Sequence, residues 1–184
     1  MKHKIKALAM ATIIMTSCGG DKQTNNEEFN YHVDRFADIE VLRYKVTDFE
    51  TLSLQQKKLI YFLSQAAIEG RDILYDQNCK HNLTIRKTLE AIYLNYAGNR
   101  DEADFKALET YLKRVWFSNG IHHHYATDKF EPGFSQKYFE TVVQSLPKET
   151  LPLTKFNGEV SQLLKVITPV IFDSSLYSKR VTQQ

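Results

Sequence analysis

The sequence predicts a mainly α protein, an irregular array of about five helices, and three observations carry that reading. Apolar residues recur at three-and-four spacing in five separate stretches between Leu59 and Ile167. Gly (7) and Pro (4) are scarce among 184 residues, too few for the many turns of a β-sandwich. Hydrophobic residues make up 42% and charged residues 25%, enough apolar material for a sizeable core and too much for global disorder.

The elements follow in order. Residues 1–17 combine Lys2, Lys4 and Lys6 with an apolar run from Ala7 to Met15, the pattern of a secretory signal. The run is too short for a bilayer-spanning helix. Met15-Thr16-Ser17-Cys18 resembles a bacterial lipobox, which makes Cys18 the expected lipidation site. The alternative is a plain signal peptide or a short buried helix. Residues 18–28 are polar and read as a flexible tether. The expected location is therefore export, with membrane anchoring on the periplasmic side or at the cell surface. Loss of Lys2, Lys4 and Lys6 takes the formal charge from +2 to −1, so the mild basicity is a targeting feature. Neither value is the footprint of a nucleic-acid binder. Two distant Cys exclude a disulfide framework, and with Cys18 lipidated Cys79 is a lone thiol.

Residues 29–184 form the folded portion. Ile39, Val41, Leu42, Tyr44 and Val46 point to one short strand or an extended arm. Ser53 and Gln56 form a capping box, followed by the stripe Leu59, Phe62, Leu63, Ala66, Ala67, Gly70, Ile73 and Leu74 of one long helix. Gly70 inside that helix points to close packing. Glu69, Arg71 and Asp72 fit a solvated face or an ion pair with the next helix. After a break at Asn78–Asn82, Ile85, Leu89, Ile92, Tyr93 and Tyr96 mark a second helix, stopped by Gly98. A third spans about Asp101 to Phe117, with acids in its first turn and Lys113 and Arg114 in its last. Ser118–Gly133 reads as an irregular loop. A fourth helix spans about Ser135 to Leu146, and a fifth about Gly158 to Ile167, stopping before Pro169. The aromatic stripes are core, not a cofactor box, on pattern.

Familiar catalytic motifs are missing. No G-x-G-x-x-G, G-x-x-x-x-G-K-[ST], G-x-S-x-G or H-E-x-x-H occurs, which disfavours nucleotide, α/β-hydrolase and zincin chemistry. No nucleophile, base and orienter stand together. In Ile121-His122-His123-His124-Tyr125, an extended backbone puts His122 and His124 on one face. A metal there needs a third ligand, such as Asp128 or His81, and the competing reading is a polar loop after a helix end.

Three strings carry a resemblance. Glu69-Gly70-Arg71-Asp72-Ile73-Leu74-Tyr75-Asp76-Gln77, the stretch Tyr111 to Tyr125, and Lys129-Phe130-Glu131-Pro132-Gly133-Phe134-Ser135 resemble the Bacteroidetes branch of dipeptidyl peptidase III, over about Phe29 to Gln184. Members of that family are two-lobed zinc exopeptidases that release dipeptides from the N-terminus of oligopeptides. The resemblance implies that this chain is roughly the first quarter of such a protein. The family's His-Glu-x-x-Gly-His zinc helix and its downstream zinc-binding Glu are not in the sequence, so zinc belongs to the full-length family and no catalytic or metal-ligating residue is assigned here. The implied partners are the remainder of the same polypeptide, an oligopeptide substrate, and a membrane reached through the lipid anchor. Matching the family's aromatic-Gly-Asp-Thr-Lys-Phe stretch onto Tyr125-Ala126-Thr127-Asp128-Lys129-Phe130 makes Tyr125 the substrate-binding aromatic, with Asn119 and Gly120 shaping its loop. Ala126 stands where the family has Gly, and Tyr125 as a packing residue is the competing assignment. Two alternatives stay open: a self-standing helical lipoprotein that binds a peptide or partner, and a metal-binding His loop.

Overall fold

The computed structural model describes residues 29–179. The signal segment 1–17, Cys18, the tether 18–28 and residues 180–184 lie outside the described residues. The fold is mainly α, with a single two-stranded sheet among the described residues.

The chain opens with a hairpin. Strand β1 (His32–Phe36) pairs antiparallel with β2 (Ile39–Leu42), Phe36 opposite Ile39 and Arg35 opposite Glu40. The expected single strand is therefore half of a pair, and its extended stretch ends at Leu42. Ala37 makes the reversal at φ 49°. Two ion pairs seat the hairpin on the helix Ala103–Ser118: Lys113 Nζ to Asp34 at 2.9 Å and Arg114 to Asp38 at 2.9 Å.

Helix α1 (Leu54–Glu69) starts at the Ser53–Gln56 capping box, where Ser53 Oγ accepts the Gln56 N–H and the Gln56 side chain accepts the Ser53 N–H. It ends at Gly70, and a single turn, α2 (Asp72–Tyr75), follows after Arg71. One long helix through Leu74 is thus not what forms. Gly70 serves as an end rather than a packing notch, since a Cβ there meets only the Ala67 carbonyl at 3.7 Å. The stripe on α1 is not covered either: no residue of α1 is buried.

The core lies further along. Helices α3 (Asn82–Asn95), α4 (Ala103–Ser118), α5 (Gln136–Ser145) and α6 (Val160–Phe172) bury Ile85, Leu89, Ile92, Leu108, Leu112, Val115, Phe139, Val143, Leu163 and Ile167 in one cluster. α3 lies against α4 and α5, and α5 against α6. Phe134 joins the layers, its ring 5.7 Å from Tyr111, 6.1 Å from Phe139 and 5.8 Å from Phe172. α2 is tied to α3 by Arg86, whose guanidinium meets Asp72 at 2.8 Å and lies over the Tyr75 ring. This is the ion pair with the next helix that Asp72 offered in sequence.

α6 runs through Pro169 to Phe172 instead of stopping before it. Pro169 lies in the final turns, where only the Lys165 carbonyl loses a partner, and Val170 and Ile171 stay helical because both are buried. Cys79 is a buried free thiol whose pKa burial pushes up.

Candidate functional site

The site forms where α4 ends. Asn119 takes the left-handed conformation (φ 52°, ψ 40°) that closes a helix, and its N–H and that of Gly120 both reach the Val115 carbonyl. Gly120 follows at φ 152°. Asn82, first residue of α3 and 1% exposed, accepts the Ile121 N–H at 3.2 Å through Oδ1. Helix end, loop and α3 are thereby locked together.

The expected irregular loop is ordered around a small antiparallel bridge. His122 and Lys129 form an antiparallel bridge, with the Phe130 N–H on the Ile121 carbonyl at 2.9 Å and the His123 N–H on the Asp128 carbonyl at 2.8 Å. At the tip, His123 Nδ1 accepts the N–H groups of Tyr125 and Ala126. Tyr125 is 88% exposed. Its ring touches only the edge of the His run, 4.2 Å from the His124 ring centroid. Packing in the core is therefore not its role among the described residues.

Beneath the loop sits a cavity of about 210 Å³ lined by Asn78, Asn82, Asn119, Gly120, His122 and Lys179, among others. Of the residues singled out in the sequence, Asn119 and Gly120 come together in its wall, with His122 and His124 beside them. Tyr125 does not line it. A larger groove of about 580 Å³ runs between α5 and α6, open to solvent and away from this loop.

His122 is 3% exposed. Its Nε2 lies 2.7 Å from the Tyr177 carbonyl, which only accepts, so Nε2 carries the proton and Nδ1 is a bare lone pair. Nδ1 is enclosed without a partner among the described residues. Burial, aided by the charges of Lys129 and Lys179, holds the His122 pKa below its ordinary 6.5 against the opposing pull of the Tyr177 bond. His81, expected as a possible third ligand, bonds the Tyr177 hydroxyl at 2.9 Å instead. Among the described residues no three His, Cys, Asp or Glu side chains converge to hold a metal ion. The donor set does not fit zinc, and the lysine ammonium of Lys179 in the same wall opposes a cation.

Three participants were missed in the sequence: Asn82, Tyr177 and Lys179. Asn82 stood in the stretch read as a helix break, and the tail from Tyr177 carried no periodic signal.

A comparison with protein-family models found no match, and a comparison with curated proteins found none either. No helix among the described residues is long and apolar enough to cross a membrane.

Proposed function

We propose that residues 29–184 are the N-terminal, substrate-side portion of a zinc-dependent exopeptidase of the dipeptidyl peptidase III kind, exported and lipid-anchored through Cys18, and inactive alone. The observation that carries this reading is α1. Leu54, Leu59, Tyr61, Phe62, Leu63 and Ile68 are all more than half exposed. An exposed set of large apolar side chains of this size, interleaved with Gln55, Lys57, Lys58 and Gln65, marks a surface that a further body covers. The remainder of the same polypeptide is the occupant that the resemblance supplies.

The candidate site agrees with a role in holding peptide. Asn119, Gly120 and Asn82 make a rigid base, and Tyr125 stands free at the tip, able to lie against a substrate's N-terminal side chain. Since no donor set for zinc occurs among the described residues, no chemical step is assigned to them.

The test compares two chains from the same gene. The 184-residue chain, given an oligopeptide and zinc, releases no dipeptide; the chain continued past codon 184 does. Tyr125→Ala in the longer chain raises KM several-fold with kcat little changed. Dipeptide release by the short chain, or none by the longer one, overturns the reading.

The closed cluster between Tyr75 and Ile171 favours a second reading, a self-standing helical lipoprotein that binds a peptide or partner. It requires cooperative thermal unfolding of the short chain. A chain that melts without cooperativity and binds apolar dyes when cold removes it.

A further inference from the structure

We propose that residues 173–179 are an acid-released strap: above neutral pH they lie latched over the His122 loop, and protonation of His122 frees them and opens the cavity beneath. The latch is a set of five hydrogen bonds. Lys129 Nζ donates to the carbonyls of Asp173 at 2.7 Å and Leu176 at 3.0 Å. His122 Nε2–H donates to the Tyr177 carbonyl at 2.7 Å. The Tyr177 hydroxyl meets His81 Nε2 at 2.9 Å, and Lys179 Nζ donates to the His123 carbonyl at 2.9 Å. Five side chains make these bonds: His81, His122 and Lys129, from 44 to 96 positions earlier in the chain, and Tyr177 and Lys179 on the strap itself.

Two features make the latch conditional. Tyr177 is held at φ 55°, a left-handed backbone that a bulky residue adopts only under constraint. His122 is also enclosed so that a proton arriving at Nδ1 finds no acceptor among the described residues.

The groups facing His122 reinforce this. Lys129 on its own loop and Lys179 on the strap repel a charged ring. His81 at the head of α3 and His124 in the loop are themselves held below the ordinary imidazole value, by burial first, then by Lys80 and Lys155 for His81 and by the His123 ring and Lys179 for His124. The nearby carboxylates act elsewhere: Asp38 on His124 and Asp173 on Lys129. The latched state therefore binds fewer protons than the released one. The strap is secure above about 6.5, the ordinary imidazole value, and loosens as pH falls below it. Release withdraws Lys179 from the cavity wall that Asn82, Asn119 and Gly120 complete. The strap and its anchors are the same whether or not the chain belongs to a peptidase.

Hydrogen exchange of the full 184-residue chain, corrected for intrinsic rates, tests it. Between pH 7.5 and 5.0 the amide of Leu176, which donates to the Asp173 carbonyl, should lose at least tenfold in protection while those of Leu108–Val115 in α4 keep theirs. The midpoint should coincide with the His122 imidazole titration followed by NMR. His122→Gln, whose amide N–H replaces the Nε2–H donor without titrating, should keep the strap protected at pH 5.0. Equal strap protection at both pH values, loss of α4 protection in step with the strap, or a midpoint that departs from the His122 titration would each overturn the proposal. All three are read on the unaltered chain, so they decide the matter even if the variant fails to fold.

Discussion

Asn82 and Gly120 interlock: the Asn82 amide sits in the space that a Cβ on Gly120 would need, 2.3 Å from its Nδ2, while its Oδ1 holds the Ile121 N–H. Gly120 is required twice over, by its φ of 152° and by this close approach. Gly120→Ala should cost about 1–3 kcal/mol, the range for strained backbone positions. Asn82→Ala should cost about the same, because it leaves a buried N–H without an acceptor. The two losses should not add, since each undoes the same lock. Denaturant unfolding of both single variants and the double variant checks this, and full additivity would contradict the coupling.

Arg86 is the next position where a single change is costly. It is 6% exposed, pairs with Asp72 at 2.8 Å and with Glu90 at 3.4 Å, and lies 4.7 Å over the Tyr75 ring. Both carboxylates keep contact with water, so their share of the stabilisation is discounted. The guanidinium's packing on Tyr75 remains. Arg86→Ala should cost about 2–4 kcal/mol. Arg86→Lys should recover only part, because an ammonium cannot span Asp72 and Glu90 while lying flat on the ring. Loss of α2 protection in hydrogen exchange, ahead of α3, is the accompanying signature.

Where local pattern and burial coincide, the fold was legible. The stripes on α3, α4 and α5 are apolar at helical spacing and are also the faces that meet. Periodicity reports a pattern and not what covers it, so the α1 stripe announced a helix but not its exposure. β1 was hidden because His32-Val33-Asp34-Arg35-Phe36 has no apolar face and its turn, Ala37-Asp38, lacks Gly. The hairpin depends on Lys113 and Arg114, more than 70 residues away in the chain. At the site, Asn119 and Gly120 came from resemblance and lie in the cavity wall, and Tyr125 came with them but lies outside it. Tyr177 reaches His122 across 55 residues, a pairing that no local signal encodes.

The exposure of α1 makes a prediction with opposite signs in two chains. Leu59, Phe62 and Leu63 are 58%, 65% and 60% exposed. Replacing each by Gln in the 184-residue chain should alter stability by no more than about 0.5 kcal/mol and should lower apolar-dye binding. In a longer chain that covers α1, the same changes should each cost about 2–5 kcal/mol, as for buried residues. Thermal unfolding of both chains separates the outcomes. Equal tolerance in both would mean that α1 faces solvent in the finished protein, and the proposed docking role would fall.

Pro169 offers a test of how α6 tolerates a residue that should have ended it. It is tenth of the 13 residues of Val160–Phe172, exposed, and its carbonyl accepts the Asp173 N–H at 2.9 Å. The helix continues because Val170 and Ile171 are 2% and 1% exposed and their burial outweighs one missing hydrogen bond. Pro169→Ala restores an N–H for the Lys165 carbonyl and removes the ring's clash with the preceding turn, worth about 3 kcal/mol in a helix interior and less near an end. Against that stands about 0.4–1 kcal/mol from the freer unfolded chain. A net gain of about 1–2 kcal/mol is expected, read as a higher melting temperature. A loss instead would show that the ring holds the wall of the α5–α6 groove, which it lines beside Thr168 and Phe172. In that case the proline is kept for the shape of that groove and not merely tolerated by the helix.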